Sequence, residues 1–121
     1  MSRILLVDDD KDHLKLFTMI LEEQGHSVDT YTDSVVALSR FKPNYYNLSV
    51  LDYRMPELNG LDLYARIKEI DPTIKASILT ASHEQITEEY PRENLKVIRK
   101  PITNEELLGE INSILTDHRP S

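Results

Sequence analysis

Polar and charged residues stand at the ends of apolar runs in this sequence. Three consecutive aspartates, residues 8–10, follow the first run, and Asp52 follows the third. Thr80 follows the fourth run, and Lys100 comes shortly after the fifth. If the runs are neighbouring parallel strands, their carboxyl ends meet at one edge of a sheet, and these side chains come together there.

Such a group of side chains has a specific chemistry. Several carboxylates at one edge repel one another and raise each other's pKa values, and a divalent cation removes that cost. Mg²⁺ prefers oxygen ligands and is commonly held by one or two carboxylates together with a phosphate. A hydroxyl and an ammonium group suit the oxygens of a phosphoryl group. The pattern therefore predicts phosphoryl transfer, in which positioning and charge neutralisation provide most of the catalysis.

Five apolar runs alternate with amphipathic segments along the chain. The runs, which predict strands, are residues 4–7, 27–32, 48–51, 74–79 and 95–98. The amphipathic segments predict five helices: residues 12–24, Asp33 or Ser34 to Pro43, a segment that ends before Pro72, Ser82 to Pro91, and residues 103–115. Leu63, Ile67 and Ile70 form one face of the third helix. Strands that alternate with helices favour an α/β fold, with a parallel sheet covered on both faces.

Local signals mark several helix boundaries. Asp10 stands where the first helix needs an N-cap, and Gly25 stands at the C′ position of the same helix. Two pairs have the spacing of a capping box: Ser82 with Gln85, and Thr103 with Glu106. The four histidines, His13, His26, His83 and His118, show no metal-ligand spacing, and we expect all of them on the surface.

Length and composition exclude several classes of protein. The 121 residues predict a single domain over 1–121, with 116–121 as a polar tail or the start of a linker. The chain has no cysteine, which fits a cytoplasmic location, and no apolar run long enough to span a bilayer. With 14 basic and 21 acidic residues, its formal charge of −7 disfavours direct binding to nucleic acid.

The strand-end residues together resemble a known family. Asp8-Asp9, Leu51-Asp52-Tyr53-Arg54-Met55-Pro56 with Gly60, Thr80-Ala81 and Lys100-Pro101 occur in the order found in receiver domains of two-component response regulators, the CheY-like superfamily. The resemblance covers residues 3–116. It implies a flavodoxin-like (βα)5 fold, doubly wound, with a five-stranded parallel sheet in the order 2-1-3-4-5.

The resemblance also implies a metal site. Asp9 would ligate Mg²⁺ directly, and Asp8 would act mainly through water or hydrogen bonds. Asp52 and the backbone carbonyl of Arg54 would be further ligands. Mn²⁺ would be able to replace Mg²⁺ at this site.

The remaining motif residues would act on the phosphoryl group. Asp52 would be the phosphoacceptor and take the group from a sensor histidine kinase or a phosphotransfer protein. Thr80 would bind a phosphoryl oxygen, and Lys100 would pair with the phosphate. The peptide bond before Pro101 would be cis, as in the family.

The implied function is a phosphorelay switch that controls a downstream partner or output domain, whose identity the sequence does not specify. The protein would not be an enzyme in the ordinary sense, because it would catalyse only its own phosphorylation and dephosphorylation. The resemblance allows a phosphorylation-dependent homodimer.

Two parts of the chain depart from the family pattern. Val97 stands where the family usually has an aromatic residue that reports phosphorylation to the output face. Residues 84–94 are rich in glutamate, lack glycine and contain Pro91. We therefore expect an altered or weakly ordered interaction face in that segment.

Two other functions remain open from the sequence. An aspartyl-phosphate phosphatase of the haloacid dehalogenase type would use Asp8 as its nucleophile, followed by Thr80 and Lys100. That family needs a further acidic metal ligand at a strand end after the lysine, and the acids after Lys100 lie on or beyond the last predicted helix. A receiver-like docking module that is never phosphorylated is the third hypothesis, and Val97 is the feature that favours it.

Overall fold

The computed structural model describes residues 2–81 and 95–116. In these ranges the elements are β1 (Arg3–Val7), α1 (Lys11–Glu23), β2 (Ser27–Tyr31), α2 (Ser34–Ser39), β3 (Leu48–Asp52), α3 (Gly60–Ile70), β4 (Lys75–Ala81), β5 (Leu95–Lys100) and α4 (Asn104–Thr116). The helix predicted to begin at Ser82, its capping box, the segment 84–94, His83 and His118 lie outside the described residues.

The five strands form one parallel sheet in the order β2-β1-β3-β4-β5. This confirms the doubly wound α/β fold and the strand order that the resemblance implied. The order reverses at β1, which lies between β2 and β3. In sheets of this kind, ligands bind outside the carboxyl ends of the strands near that reversal.

Alternate strand residues face two separate cores. On one face, Leu5, Leu51 and Ile78 pack with buried residues of α2 and α3. On the other, Ile4, Val50 and Leu79 pack with buried residues of α1 and α4. Complete burial of one such side chain contributes roughly 1.5–3 kcal/mol. The central strands are apolar on both sides because helices cover both faces of the sheet.

The ends of α1 follow the local signals in the sequence. The side chain of Asp10 caps the helix and accepts hydrogen bonds from the backbone N–H groups of Asp12 and His13. Gly25 has a φ of +89°, which a side chain would disfavour. The N–H of Gly25 donates to the carbonyl of Glu22 at 3.0 Å. The N-cap and C′ predictions are therefore confirmed.

Two details of the predicted elements were wrong. β4 runs on to Ala81, so Thr80 lies inside the strand and not after it. Ile70 is 45% exposed, although its spacing placed it on the buried face of α3. The helix begins at Gly60 and buries Leu61 and Tyr64. At about 100° per residue, Ile70 then lies a quarter turn from the centre of the buried face.

Within the described residues, no helix has both the length and the apolar character that crossing a membrane requires.

Candidate functional site

The carboxyl edge of the sheet gathers the acidic residues that the sequence singled out. Asp8 directly follows β1, and Asp52 is the last residue of β3. Asp9 extends from the loop after β1 and is exposed. One carboxylate oxygen from each of Asp8, Asp9 and Asp52 lies within 4.8 Å of the other two. The fold therefore brings together two sequence positions that are far apart along the chain.

Asp52 lies at this edge together with Lys100, the last residue of β5. The Nζ atom of Lys100 donates to Oδ1 of Asp52 at 3.1 Å, and the Asp52 side chain is 12% exposed. The pKa of Asp52 is raised, first by burial and then by the charge on Asp8, and Lys100 offsets this only in part. The carboxylate is therefore a charged group that gains from further positive charge nearby.

Asp8 is more deeply buried, with 3% of its surface exposed. Its Oδ1 accepts a hydrogen bond from the backbone N–H of Asp10 at 2.9 Å, and its Oδ2 contacts Nδ1 of His13. Burial alone would raise the pKa of Asp8, but the bonds from His13 and Asp10 outweigh it, and the pKa is lowered. Both oxygens of Asp8 therefore already have protein partners.

The donor set of this edge fits a hard divalent cation. All three acids offer carboxylate oxygens, which are the ligands that Mg²⁺ prefers. A cleft of about 480 Å³ opens beside them and is lined by Asp9, Tyr53, Arg54, Met55, Pro56 and Asn59. The backbone of Arg54 therefore borders the same space as the acidic cluster, which solvent and ions can enter.

Thr80 and Lys100 come from the adjoining strands β4 and β5. Thr80 is 1% exposed, and its hydroxyl lies 3.4 Å from the carbonyl of Ala81, a long hydrogen bond. Ala81 pairs with Lys100 in the sheet. The peptide bond between Lys100 and Pro101 is cis. Val97 is half-buried on β5, where it pairs with Ile78 of β4.

Gly60 fixes the distance between α3 and the backbone of Asp52. A Cβ atom at Gly60 would lie 2.6 Å from the carbonyl oxygen of Asp52, closer than real Cβ atoms approach. The N–H of Gly60 donates to the carbonyl of Tyr53 at 2.8 Å. Asn59 caps the helix through the N–H of Asp62. Glycine is therefore required at position 60 because the two backbone segments approach closely there, and not because of its φ angle.

His13 is a site neighbour that the sequence analysis missed. It was expected on the surface, but it is half-buried in the first turn of α1 and contacts Asp8. That bond is the main reason why the pKa of His13 is raised, and burial opposes it. The available signal was its position three residues after the N-cap Asp10, which directs the first helical turn toward the carboxyl edge. Ligand spacing among histidines could not reveal it.

Comparison with known proteins adds a family match. Residues 4–112 match the response regulator receiver domain family. The response regulator receiver protein CpdR of Brucella abortus is 33% identical over 118 residues, which cover 95% of this chain and 98% of CpdR. The CpxR homolog of Haemophilus influenzae is 33% identical over 117 residues, covering 95% of this chain and 51% of that protein. The chain thus spans about half of the latter.

Solved structures agree with the sequence match. The non-phosphorylated HemR receiver domain of Leptospira biflexa superposes with a TM-score of 0.86 at 28% identity, over 100% of this chain and 99% of that one. The response regulator TrrA of Thermotoga maritima, solved in complex with Mg²⁺–BeF, gives a TM-score of 0.80 at 27% identity, over 94% and 99% of the two chains.

Proposed function

The chain belongs to the response regulator receiver domain family, and from that premise we propose that it is a phosphorylation switch whose acceptor is Asp52. Receiver domains are signalling proteins of two-component systems, and histidine kinases phosphorylate them. For this chain the donor would be the phosphohistidine of a sensor kinase or of a phosphotransfer protein. Between phosphorylation events the protein would catalyse only the hydrolysis of its own acyl phosphate.

The ion pair between Asp52 and Lys100 is the observation that best supports Asp52 as the acceptor. One oxygen of Asp52 accepts from Lys100, and the residue is the carboxyl end of β3 beside the open cleft. Asp8 is nearly fully buried, and both of its oxygens have partners. A nucleophile needs a free oxygen lone pair that a phosphorus atom can approach. Asp52 meets that need better than Asp8.

The transfer step needs only the protein, the donor and a proton from solvent. An oxygen of Asp52 attacks the phosphorus atom, the new P–O bond forms, and the P–N bond to the donor imidazole breaks. The imidazole nitrogen leaves with the electron pair and takes up a proton from solvent. Lys100, already 3.1 Å from Asp52, stabilises the negative charge on the phosphoryl oxygens. The buried hydroxyl of Thr80 provides a further donor for one of those oxygens.

Magnesium completes the proposed site. Asp8, Asp9, Asp52 and the backbone carbonyl of Arg54 would hold it, Asp8 mainly through water. Bound there, the cation would neutralise the clustered acids and the charge of the phosphoryl group. The support is the carboxylate cluster of this chain and the Mg²⁺–BeF complex of TrrA. Mn²⁺ accepts similar oxygen ligands, and we propose that it substitutes.

The competing functions make different use of the same residues. The phosphatase of the haloacid dehalogenase type requires Asp8 as its nucleophile, and the family match and the occupied oxygens of Asp8 both argue against it. The docking module requires that no phosphoryl group is accepted. The paired Asp52 and Lys100 favour the switch over this hypothesis.

Other parts of the proposal concern the protein beyond its site. Phosphorylation would shift an equilibrium between two conformers, and this shift would alter binding of a partner or output domain. Residue 97 is a valine, so it provides no aromatic ring to report that change to the output face. A phosphorylation-dependent homodimer, the absence of nucleic-acid binding, a cytoplasmic location and a single domain over residues 1–121 stay predictions.

Intact mass spectrometry after incubation with acetyl phosphate tests the acceptor directly. The samples are the unmodified protein with and without Mg²⁺, and the variants Asp52→Asn, Asp8→Asn and Asp10→Asn. We expect a Mg²⁺-dependent gain of one phosphoryl group that is absent in Asp52→Asn and slowed in Asp8→Asn. Asp10→Asn is the matched control, because asparagine caps a helix as well as aspartate does.

Each other outcome points to a different function. A phosphoryl group that disappears with Asp8→Asn and persists in Asp52→Asn would support the phosphatase. No adduct on the unmodified protein under any condition would support the docking module. An adduct lost in Asp10→Asn as well would mean that these variants disturb the fold and not the acceptor.

A further inference from the structure

We propose that His13 is a positioning residue that holds the Asp8 carboxylate in place for the magnesium site. The inference rests on the proposed function, because it needs that site to exist. It goes beyond it, because His13 belongs to none of the motifs that define the site.

Both oxygens of Asp8 are held from the start of α1. The backbone N–H of Asp10 donates to Oδ1 at 2.9 Å, and Nδ1 of His13 contacts Oδ2. An ionised carboxylate only accepts hydrogen bonds, so Nδ1 of His13 carries the proton in this contact. The two donors approach different oxygens, and together they fix the rotation of the carboxylate plane.

Two contacts besides the one with Asp8 hold His13. Its backbone N–H donates to the N-cap side chain of Asp10 at 3.2 Å, which fixes the first turn of the helix. Its ring stacks on Phe17, with 6.3 Å between the ring centroids and 9° between the planes. Phe17 is a core residue that is only 2% exposed. The stacking on Phe17 therefore supports the orientation in which Nδ1 contacts Asp8.

A carboxylate held in this way is suited to a metal site. Groups that hydrogen-bond to metal-binding carboxylates and imidazoles orient them, and their loss typically lowers metal affinity about 10- to 100-fold. Asp8 contributes one of the three clustered carboxylate oxygens. If the bond from His13 is lost, Asp8 keeps only its bond to Asp10 and can rotate. Cation binding would then be weaker, because it would have to fix the orientation of the carboxylate.

The test is calorimetric titration of Mg²⁺ into the unmodified protein and three variants. His13→Phe keeps a ring against Phe17 and removes the bond to Asp8. His13→Asn places an amide N–H near the position of Nδ1 and keeps the bond. His26→Phe makes the same chemical change before β2, at the opposite edge of the sheet, where His26 bonds the N–H of Ser2.

We expect His13→Phe to weaken Mg²⁺ binding about 10-fold or more. We expect His13→Asn to recover most of that loss and His26→Phe to bind as the unmodified protein does. Urea unfolding in EDTA is measured on every variant, because a purely structural role would change the metal-free stability and leave the Mg²⁺ affinity unchanged. If His13→Phe does not fold, His13→Leu, which keeps an apolar contact with Phe17, replaces it.

Several results would overturn the inference. Equal affinity in His13→Phe would show that the ring serves packing alone, and tighter binding would show that His13 masks Asp8. Failure of His13→Asn to recover affinity would mean that the hydrogen bond is not the cause. These outcomes differ from a failure of the proposed function, in which the unmodified protein itself would bind no Mg²⁺.

Discussion

The folded protein disfavours the ionised form of Asp52. Burial and the nearby charge of Asp8 raise its pKa, and the ion pair with Lys100 compensates only in part. A group whose folded pKa is raised favours folding in its protonated form and costs stability once it is ionised. The residue that we propose as the acceptor is therefore also a source of instability in the metal-free protein.

The first prediction concerns the neutral variant of this residue. Asp52→Asn should raise the free energy of unfolding in EDTA at pH 7 by about 1 kcal/mol, because it removes the repulsion from Asp8 and the cost of burying a charge. The gain should shrink as the pH falls through the raised pKa of Asp52 and vanish below about pH 3.9, where the acid is protonated in both the folded and unfolded states. Urea unfolding at several pH values measures it.

Asp33→Asn is the matched control for this change. Asp33 caps α2 through the N–H groups of Val35 and Val36, and asparagine caps equally well. The control should therefore leave the stability nearly unchanged at every pH. A plain loss of stability in Asp52→Asn would show that the Lys100 ion pair outweighs the repulsion and that the clustered-acid description is wrong.

At the scale of elements, α3 and β3 touch at Gly60. The second prediction is that Gly60→Ala destabilises the protein by about 1–3 kcal/mol, because its Cβ would overlap the carbonyl oxygen of Asp52. The same displacement should slow phosphorylation, since it moves the backbone that carries the acceptor. Urea unfolding and the initial rate of adduct formation with acetyl phosphate measure the two effects.

Gly109 in α4 provides a control of opposite sign. No atom of the described residues lies within 4 Å of a Cβ atom at that position, so Gly109→Ala should stabilise the protein by about 1 kcal/mol through helix propensity alone. It should also leave the rate of phosphorylation unchanged. If Gly60→Ala behaved like Gly109→Ala, α3 would not depend on the close approach to Asp52.

The central strands carry two buried hydroxyls without a partner in the described part of the chain. Ser49 on β3 and Ser77 on β4 are fully buried, and their Oγ atoms have no hydrogen-bond partner among residues 2–81 and 95–116. The third prediction is that Ser77→Ala leaves the free energy of unfolding unchanged or raises it by about 1 kcal/mol, because an unpaired buried hydroxyl costs more than it contributes. Chemical unfolding at pH 7 measures the change.

Ser34 is the control for this third prediction. It is also buried, but its hydroxyl donates to the carbonyl of Pro56 at 3.2 Å. Ser34→Ala should therefore cost about 1 kcal/mol, since it removes this hydrogen bond and leaves the Pro56 carbonyl with the N–H of Leu58 as its donor. A comparable loss in Ser77→Ala would mean that the Ser77 hydroxyl has a partner in solution, such as a buried water.

The elements and the site differed in how far the sequence could predict them. Strand-end acids are predictable because parallel strands share one carboxyl edge, and this rule brought Asp8 and Asp52 together. The position of His13 three residues after the N-cap places it near the carboxyl edge, but its bond to Asp8 also depends on the direction of the side chain, which the sequence does not give. Ile70 is exposed because it is the last residue of α3 and because Leu61 and Tyr64 shift the centre of the buried face away from it, which the spacing of Leu63, Ile67 and Ile70 alone did not show.

At the scale of the whole molecule, the topology concentrates charge. The chain has a formal charge of −7, and the fold places three of its carboxylates within 4.8 Å of one another at the carboxyl edge. The strand order reverses at β1, which makes β1 and β3 neighbours. The same pairing brings these acids together. The acidic cluster that we propose as a cation site therefore opposes folding when no cation is bound.

The fourth prediction follows from this conflict between site and stability. A ligand that binds only the folded state stabilises it, by about 2.7 kcal/mol when its concentration is a hundred times its Kd. Mg²⁺ should therefore raise the midpoint of thermal unfolding, and NaCl at the same ionic strength should raise it much less, because screening alone is weak at short range. Asp9→Asn, which removes an exposed carboxylate of the cluster, should lose most of the Mg²⁺-specific increment.

Glu69→Gln is the control for Asp9→Asn, because Glu69 is an exposed acid on α3 that joins no acidic cluster among the residues that the structure describes. It removes the same unit of charge and should retain the full Mg²⁺ increment. Equal increments from MgCl₂ and NaCl would mean that the cation acts on the net charge of the molecule. A specific increment that survived in Asp9→Asn would instead show that the ion does not depend on Asp9. Only a specific increment that depends on Asp9 ties folding stability to the proposed switch site.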